Sequence, residues 1–343
     1  MITNLIPVAL LAFVLTVLAV PLASRLAERV GAVVHPRGDR WSTRTVPMLG
    51  GLAIAAGILA GVMISDLPMM DTIAITLGIA AMLVVGLRDD LGTVSPAARL
   101  AAQIIVGAGV GWVLGEGLDG PVRLAMTLFA GVAVPVVVNA TNLVDNADGL
   151  AASLSAASTV GLTAAVVILS LHEPAVAVGL AVTGSCLGFL VHNRPVARTF
   201  MGDTGSLSLG FAVAVTGLLL VRDSLETPAA STWAAITVAV VSVAVQLGDA
   251  TMVTLTRIRR GVSPFKGGVD HTSHRLVALG ASNGGMVLLL TALSVALQTL
   301  VLIGISVDPD ALGLVALAGA AAFTILSIEA WVVHATPQIG APR

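Results

Sequence analysis

Apolar runs of roughly 20 residues, the length that carries a helix across a bilayer, follow one another along nearly the whole chain. Eleven are predicted as spans, at 2–23, 48–65, 70–87, 98–115, 122–140, 150–171, 174–191, 206–222, 231–248, 284–305 and 311–333. Composition decides between buried core helices and membrane helices. Only 10% of the 343 residues are charged and 57% are hydrophobic, whereas a soluble domain is nearer one quarter charged. The chain therefore reads as an all-α, polytopic integral membrane protein with about 11 transmembrane helices. Short polar breaks such as SDLPMMD, GEGLDGP, LHEP, RDSLETPAAS and SVDPD separate the runs and leave no room for a soluble domain. The first run is too long for a signal-peptide core and reads as a retained span. The single cysteine, Cys186, lies in an apolar run, so it reads as a small buried side chain, with neither an intrachain disulfide nor a thiol-held metal to expect.

Basic residues orient such a chain, because they accumulate in cytoplasmic loops. All but Arg123 and Arg222 of the 17 fall in one set of loops, around 25–44, 88–99, 194–198 and 257–275, and at the C-terminus. The N-terminus is predicted outside and the C-terminus cytoplasmic. Asp66, Asp71, Glu116, Asp119, Glu173, Asp223, Glu226, Asp308 and Asp310 read as ordinary acids of the outer loops. Asp89, Asp90, Asp145, Asp148, Asp203, Asp249 and Asp270 instead lie on the same face as the arginines. Ionisable groups inside a bilayer usually mark a pathway; carboxylates gathered at one surface mark a site there. A transporter, whose charges would sit mid-span, fits less well.

The segment NATNLVDNADGL, 139–150, holds the densest polar stripe. In a helix Asn139, Asn142, Asp145 or Asn146, and Asp148 share one face. Asp89 and Asp90 end the third run; adjacent carboxylates repel and suit a cation, although a solvated helix end would also carry such a pair. Arg99 stands in the first turn after Pro96, where a cation opposes the helix dipole, which suggests that a ligand keeps it there. In RTFMGDTGSLSLG, Asp203 sits between Gly202 and Gly205. It offers a hard oxygen to Mg²⁺, while Thr204 or Ser206 reads equally well as a helix cap. Phe200 packs at the interface or stacks on a flat base. His271, His274 and Arg275 make a phosphate clamp or, less convincingly, part of a zinc site. Arg257, Arg259 and Arg260 read as orientation charges touching lipid headgroups.

These segments together suit a metal-bound diphosphate, where catalysis is mostly positioning and charge neutralisation. In order they are a P-x-x-G-G loop, DD, NxxN…DG, FMGDTGS and a His/Arg loop. In that order they resemble the polyprenyl-phosphate N-acetylhexosamine-1-phosphate transferases, the superfamily that includes the enzyme acting on phospho-MurNAc-pentapeptide. The resemblance covers nearly the whole chain. It implies one catalytic domain, 1–343, with its site on cytoplasmic loops 24–47, 88–99, 139–150, 192–206 and 249–280, in a bacterial cytoplasmic membrane. It implies transfer of a sugar 1-phosphate from a UDP-sugar to a polyprenyl phosphate, with Mg²⁺ (or Mn²⁺ in its place), release of UMP and the start of a lipid-linked envelope glycan. UDP-sugar and prenyl phosphate are the partners expected, nucleic acid is not, and a homodimer is allowed. By motif, Asn142 and Asp203 would be the magnesium ligands and Asp89 and Asp90 the catalytic acidic pair. Arg99, Arg275, His271 and His274 would face the diphosphate and Asp148 and Phe200 the uridine, with Asn139, Asp145 and Arg44 in support. Two departures bear on this. DHTSHRL lacks the HHHFE-like run of the MurNAc-pentapeptide branch, which favours a simple UDP-HexNAc donor, and His35 stands where relatives commonly have Asp.

Overall fold

The computed structural model describes residues 5–36, 44–171, 174–264, 267–308 and 319. Helix α1 (Ile6–Val30) leads into a two-strand antiparallel ladder, β1 (Val33–Val34) with β2 (Val46–Pro47), an addition to the all-α expectation. Then follow α2 (Gly50–Met63), α3 (Met69–Leu91), α4 (Pro96–Leu114), α5 (Gly120–Val144), α6 (Leu150–Ile168) and α7 (Pro174–Asn193). After these come α8 (Gly202–Glu226), α9 (Thr232–Ser242), α10 (Ala244–Arg259), α11 (Thr272–Ala278) and α12 (Asn283–Val307).

Among the described residues eight helices, α1, α3 to α8 and α12, are long and apolar enough to cross a membrane, or nine if α9 and α10 form one span. The predicted span 48–65 is instead the 14-residue α2, which at about 1.5 Å per residue falls short of a bilayer core. The predicted span 231–248 breaks, with α9 and α10 meeting at 60°. The predicted span 311–333 lies outside the described residues, Gly319 apart.

No proline marks the α9–α10 break; its cause is tertiary. The Ser158 hydroxyl of α6 donates to the Ser242 carbonyl (2.5 Å), and Gln246 Nε2 donates to the Ser158 hydroxyl (3.1 Å). A carbonyl freed from the helical ladder is thereby satisfied inside the protein, the condition for a broken helix at membrane depth.

Helix α8 is apolar all round and its span is buried throughout, as such a helix must be in a bundle. Helices α2, α3, α5, α6, α7 and α9 surround it. The outer faces are apolar as well: Leu22, Ile105, Leu128 and Leu288 are each more than 60% exposed. Faces of that size are unfavourable in water and suit lipid; the chain is a multi-pass membrane protein.

Two of the acids assigned to outer loops are not solvated. Asp71 begins α3 and Asp223 lies near the end of α8, and both are buried against Arg222. Arg222 Nη1 donates to Asp71 (2.6 Å) and Nη2 to Asp223 (2.8 Å). The triad ties α3 to α8 at the end of the bundle away from the motifs. At the other end, α1, α3, α5 and α7 finish and α2, α4, α6, α8 and α12 begin. Up-and-down topology therefore brings together segments that the sequence spreads over some 250 positions.

Candidate active site

The Gly pair of the first motif opens α2 and lets it lie directly on the chain entering α8. Gly50 N–H donates to the Phe200 carbonyl (2.9 Å) and Gly51 N–H to the Met201 carbonyl (3.1 Å), while Phe200 N–H donates to Pro47 (2.8 Å). Gly202 follows at φ +66°, and a Cβ there would come within 2.6 Å of Asp90 Oδ2 and of the Met48 carbonyl. Only glycine fits that crossing.

The first turn of α8 is capped, but not by Thr204 or Ser206 of its own sequence. Asp90, from the end of α3, accepts from Asp203 N–H (2.8 Å), Thr204 N–H (2.9 Å) and the Thr204 hydroxyl (2.6 Å). A carboxylate at a helix N-terminus satisfies orphaned N–H groups and complements the dipole. Its neighbour Asp89 accepts from Val94 N–H (2.9 Å) and from Arg99 Nη1 (2.9 Å). The same guanidinium nitrogen reaches Asp203 Oδ2 at 3.3 Å, so Arg99 bridges Asp89 and Asp203. Asn142 Nδ2 donates to Asp203 Oδ1 (2.6 Å) and to the Ser206 hydroxyl (2.8 Å). Its carboxamide oxygen has no hydrogen-bond partner among the described residues.

These groups line a cavity of about 890 Å³, within the usual range for a ligand pocket. Asp145 and Asp148 line it too. Burial, then the charges of Asp203, Asp90 and Asp148, push the Asp145 carboxyl well above the ordinary carboxylate range. Burial also raises Asp148, against a hydrogen bond from Ala197 N–H (2.8 Å) and the charge of Arg44. Asn139 turns sideways to α4, donating to Gln103 Oε1 (2.6 Å). Arg44 lies outside the lining and donates to the Ala197 carbonyl (3.2 Å). His35 pairs with the Thr45 hydroxyl across the hairpin (3.2 Å).

Phe200 forms part of the wall, on a loop pinned by Asn193. That buried amide accepts from Gly149 N–H (2.9 Å) and donates to the Thr199 carbonyl (2.7 Å). From across the cavity come His271 and His274, their ring centres 6.0 Å apart. Burial and the nearby His271 lower His274 to about 4, so it is neutral near pH 7. Val136 and Leu143 of α5 and Leu247, Ala250 and Leu255 of α10 add an apolar stretch to the wall, beside Thr251 and Thr254.

Two arginines of the last polar segment do not stand where the sequence placed them. Arg257, assigned to lipid headgroups, is buried at the cavity wall and grips Asp270 with Nε and Nη2 (3.0 and 2.7 Å), while Nη1 donates to the Pro264 carbonyl (2.8 Å). Burial alone would raise Asp270, but Arg257 holds it below the ordinary range. Arg275, expected at the diphosphate, is 1% exposed, does not line the cavity, and donates to the Asp270 carbonyl (3.0 Å). The cavity thus gathers Asp89, Asp90, Arg99, Asn139, Asn142, Asp145, Asp148, Phe200, Asp203, His271 and His274 of the expected set and leaves out Arg275 and Arg44. Sequence reasoning passed over Asn193, and it counted Asp249 among the inner acids and Asn146 on the polar stripe without giving either an individual role. The one local signal was a polar residue at a span end or at helical spacing from the loop.

A model of glycosyl transferase family 4 matches residues 72–221. Over 298 residues the chain is 33% identical to a probable undecaprenyl-phosphate N-acetylglucosaminyl 1-phosphate transferase of Bacillus subtilis, covering 83% of this chain and 81% of that protein. The chain belongs to glycosyl transferase family 4. A decaprenyl-phosphate N-acetylglucosaminephosphotransferase of Mycobacterium leprae is 32% identical over 318 residues, 82% of this chain and 79% of that one. A shorter likeness, 54% over 89 residues, links this family member to a phospho-N-acetylmuramoyl-pentapeptide-transferase of Synechococcus; it covers 25% of this chain and 24% of that one. The family-matched region contains every α3, α5 and α8 residue of the cavity and stops before the histidine loop.

Proposed function

We propose that this chain transfers a HexNAc 1-phosphate, GlcNAc-1-phosphate first among them, from a UDP-sugar to a polyprenyl phosphate and releases UMP. The observation that carries the reading is the composition of one cavity. It joins a carboxylate–amide–guanidinium cluster to an apolar stretch on α5 and α10, as a reaction between a water-soluble diphosphate and a lipid phosphate requires. Relatives similar over four fifths of the chain, named as GlcNAc-1-phosphate transferases on undecaprenyl or decaprenyl phosphate, support the same donor and acceptor. The phospho-MurNAc-pentapeptide reaction is the second reading, supported by a likeness over a quarter of the chain.

The donor set fits Mg²⁺. No group of three or more His, Cys, Asp and Glu is arranged to hold a metal among the described residues. Mg²⁺ does not need one, since it keeps several waters and takes one or two carboxylates plus substrate phosphate. Asp203, whose side chain is 30% exposed, and the carboxamide oxygen of Asn142 are the protein ligands in this reading. When bound, the ion neutralises charge on the diphosphate.

The reaction is in-line attack by a prenyl-phosphate oxygen on the sugar-linked phosphorus. The new P–O bond forms as the bond to UMP breaks, and UMP leaves with that electron pair. A phosphate monoester has a second pKa of about 6, so the nucleophile is ionised at neutral pH and needs no strong base. Asp90 accordingly serves as the cap that holds Asp203 in place. Asp89 fixes Arg99, which meets the phosphates, and Asp148 and Phe200 frame the uracil. In the cell the cavity faces the cytoplasm, with the N-terminus outside, as the arginine distribution requires. Tested on purified protein, Asp203→Ala abolishes Mg²⁺-dependent UMP release in this account; substantial residual turnover with unchanged Mg²⁺ dependence removes Asp203 from the metal.

A further inference from the structure

Two sides of the cavity come from distant parts of the chain. Asp145 and Asp148 stand on the turn between α5 and α6, inside the family-matched region, while His271 and His274 belong to the segment after α10, outside it. That segment is fastened to α10 at two places. Arg257 grips Asp270, and the buried Asp249 accepts from Thr272 N–H (2.8 Å) and lies 2.8 Å from His271 Nδ1. A further bond runs to the opposite side: the Ser273 hydroxyl donates to Asn146 Oδ1 (2.5 Å). Its direction is fixed. Asn146 Nδ2 donates to the Leu143 carbonyl (2.6 Å) in the last turn of α5, so the amide oxygen is the end that faces Ser273. An amide oxygen only accepts, and the hydrogen of the second bond therefore comes from the serine. One side chain thus closes the end of α5 and holds the histidine segment. Ser273 is 1% exposed. Behind the pair, Leu150, Leu154, Val245 and Leu290 surround a void of about 10 Å³, at the lower limit for a single water. Asn146 is one residue from Asp145 and two from Asp148, and Ser273 lies between the two histidines. The bond therefore sets the spacing across the cavity.

We propose that Asn146 is a positioning residue: through Ser273 it holds the histidine segment at a fixed spacing from the Asp145–Asp148 turn, so that a donor bound between them is oriented by both sides. This rests on the phosphotransferase reading above. The role is one of orientation in the reacting complex, where a misplacement of about 1 Å can cost about 100-fold in rate. Ser273→Ala removes the donated hydrogen bond and leaves the Leu143 cap in place; Asn146→Ala removes both.

The test uses the full-length chain in lipid nanodiscs with Mg²⁺, UDP-GlcNAc and decaprenyl phosphate. Sites are counted by UMP titration, so that protein lost to misfolding is not mistaken for slower chemistry. N146A and S273A should each lower kcat per UMP-binding site about 10-fold or more, with KM for UDP-GlcNAc within about threefold of wild type. The double variant should lose no more than about threefold beyond the worse single one, because residues that act as a unit are not additive. More than half of wild-type kcat per site in either single variant, losses that multiply in the double variant, or a loss wholly accounted for by missing UMP sites overturns the proposal. Hydrogen exchange of the α11 amides gives a second readout that does not need turnover. Both single variants should exchange there about fivefold faster or more, with α8 unchanged. Wild-type exchange in α11 of both variants overturns the proposal even if the wild type releases no UMP, an outcome that by itself refutes the functional reading.

Discussion

Replacing Asp90 with Asn separates a structural tether from a general base. Asp90 accepts three hydrogen bonds from the first turn of α8. An asparagine can place its oxygen at Oδ2 and keep both Thr204 bonds, but its NH₂ then faces Asp203 N–H, donor against donor. One buried N–H loses its partner, at about 1–3 kcal/mol, and two bonds lose their charge assistance, at about 1 kcal/mol each. Allowing for non-additivity, roughly 3 kcal/mol is withdrawn from the turn that aims Asp203. If that strain appears at the transition state, turnover falls about 100-fold, at 1.36 kcal/mol per decade. The assay is the initial rate of UMP release from pH 6 to 9.5, with thermal unfolding measured on the same preparations. The tether predicts a deficit that is constant across pH and a lowered unfolding temperature. A variant that regains wild-type turnover at high pH, with its unfolding temperature unchanged, would show that Asp90 removes a proton and refute the reasoning.

Further predictions concern the same cavity. Gly202→Ala places a Cβ against Asp90 and Met48 at a positive φ and should abolish detectable UMP release, as Asp90→Ala should. Asp145 is raised by burial and by three neighbouring carboxylates, so the folded state binds its proton more tightly than the unfolded chain. Stability therefore declines as pH rises from the ordinary carboxylate value through the folded one. Asp145→Asn should raise the unfolding temperature by a few degrees at pH 7 without Mg²⁺, and the gain should vanish near pH 4; a neutral or destabilising effect at pH 7 contradicts this. His274 is lowered to about 4, so its neutral-state contribution to stability is complete above the unfolded value near 6.5 and is lost as pH falls toward 4. His274→Gln should leave the pH–rate profile between 5.5 and 8 unchanged in shape; loss of an acid limb near pH 6 would reveal a titrating His274. Ser158→Ala, by stranding the Ser242 carbonyl and Gln246, should destabilise the bent helix pair by about 1–3 kcal/mol, read by thermal unfolding.

Much of the architecture was legible because the bilayer imposes a length and a polarity rule that each apolar run answers locally. The cavity's members were legible for the same reason, as polar residues that such a chain carries only at a cost. What the sequence concealed depends on partners far along the chain. The break at Ser242 has its cause in Ser158, 84 positions earlier. The cap of α8 comes from Asp90, more than a hundred residues upstream, so Thr204 and Ser206 looked like local caps. Arg257 resembled an orientation charge because Asp270, which buries it, lies across a loop; Arg275 resembled a phosphate ligand because its backbone partner leaves no mark in the sequence. Asp71 and Asp223 passed for loop acids until α3 and α8 brought both to Arg222.

The central claim is that the bond cleaved lies between the two phosphates of the nucleotide-sugar. Purified chain in nanodiscs, given Mg²⁺, decaprenyl phosphate and in turn UDP-GlcNAc, UDP-GalNAc and UDP-MurNAc-pentapeptide, should release UMP in step with a lipid-linked sugar diphosphate, fastest with UDP-GlcNAc. Release of UDP in place of UMP, or no nucleotide from any of the three, would contradict the account.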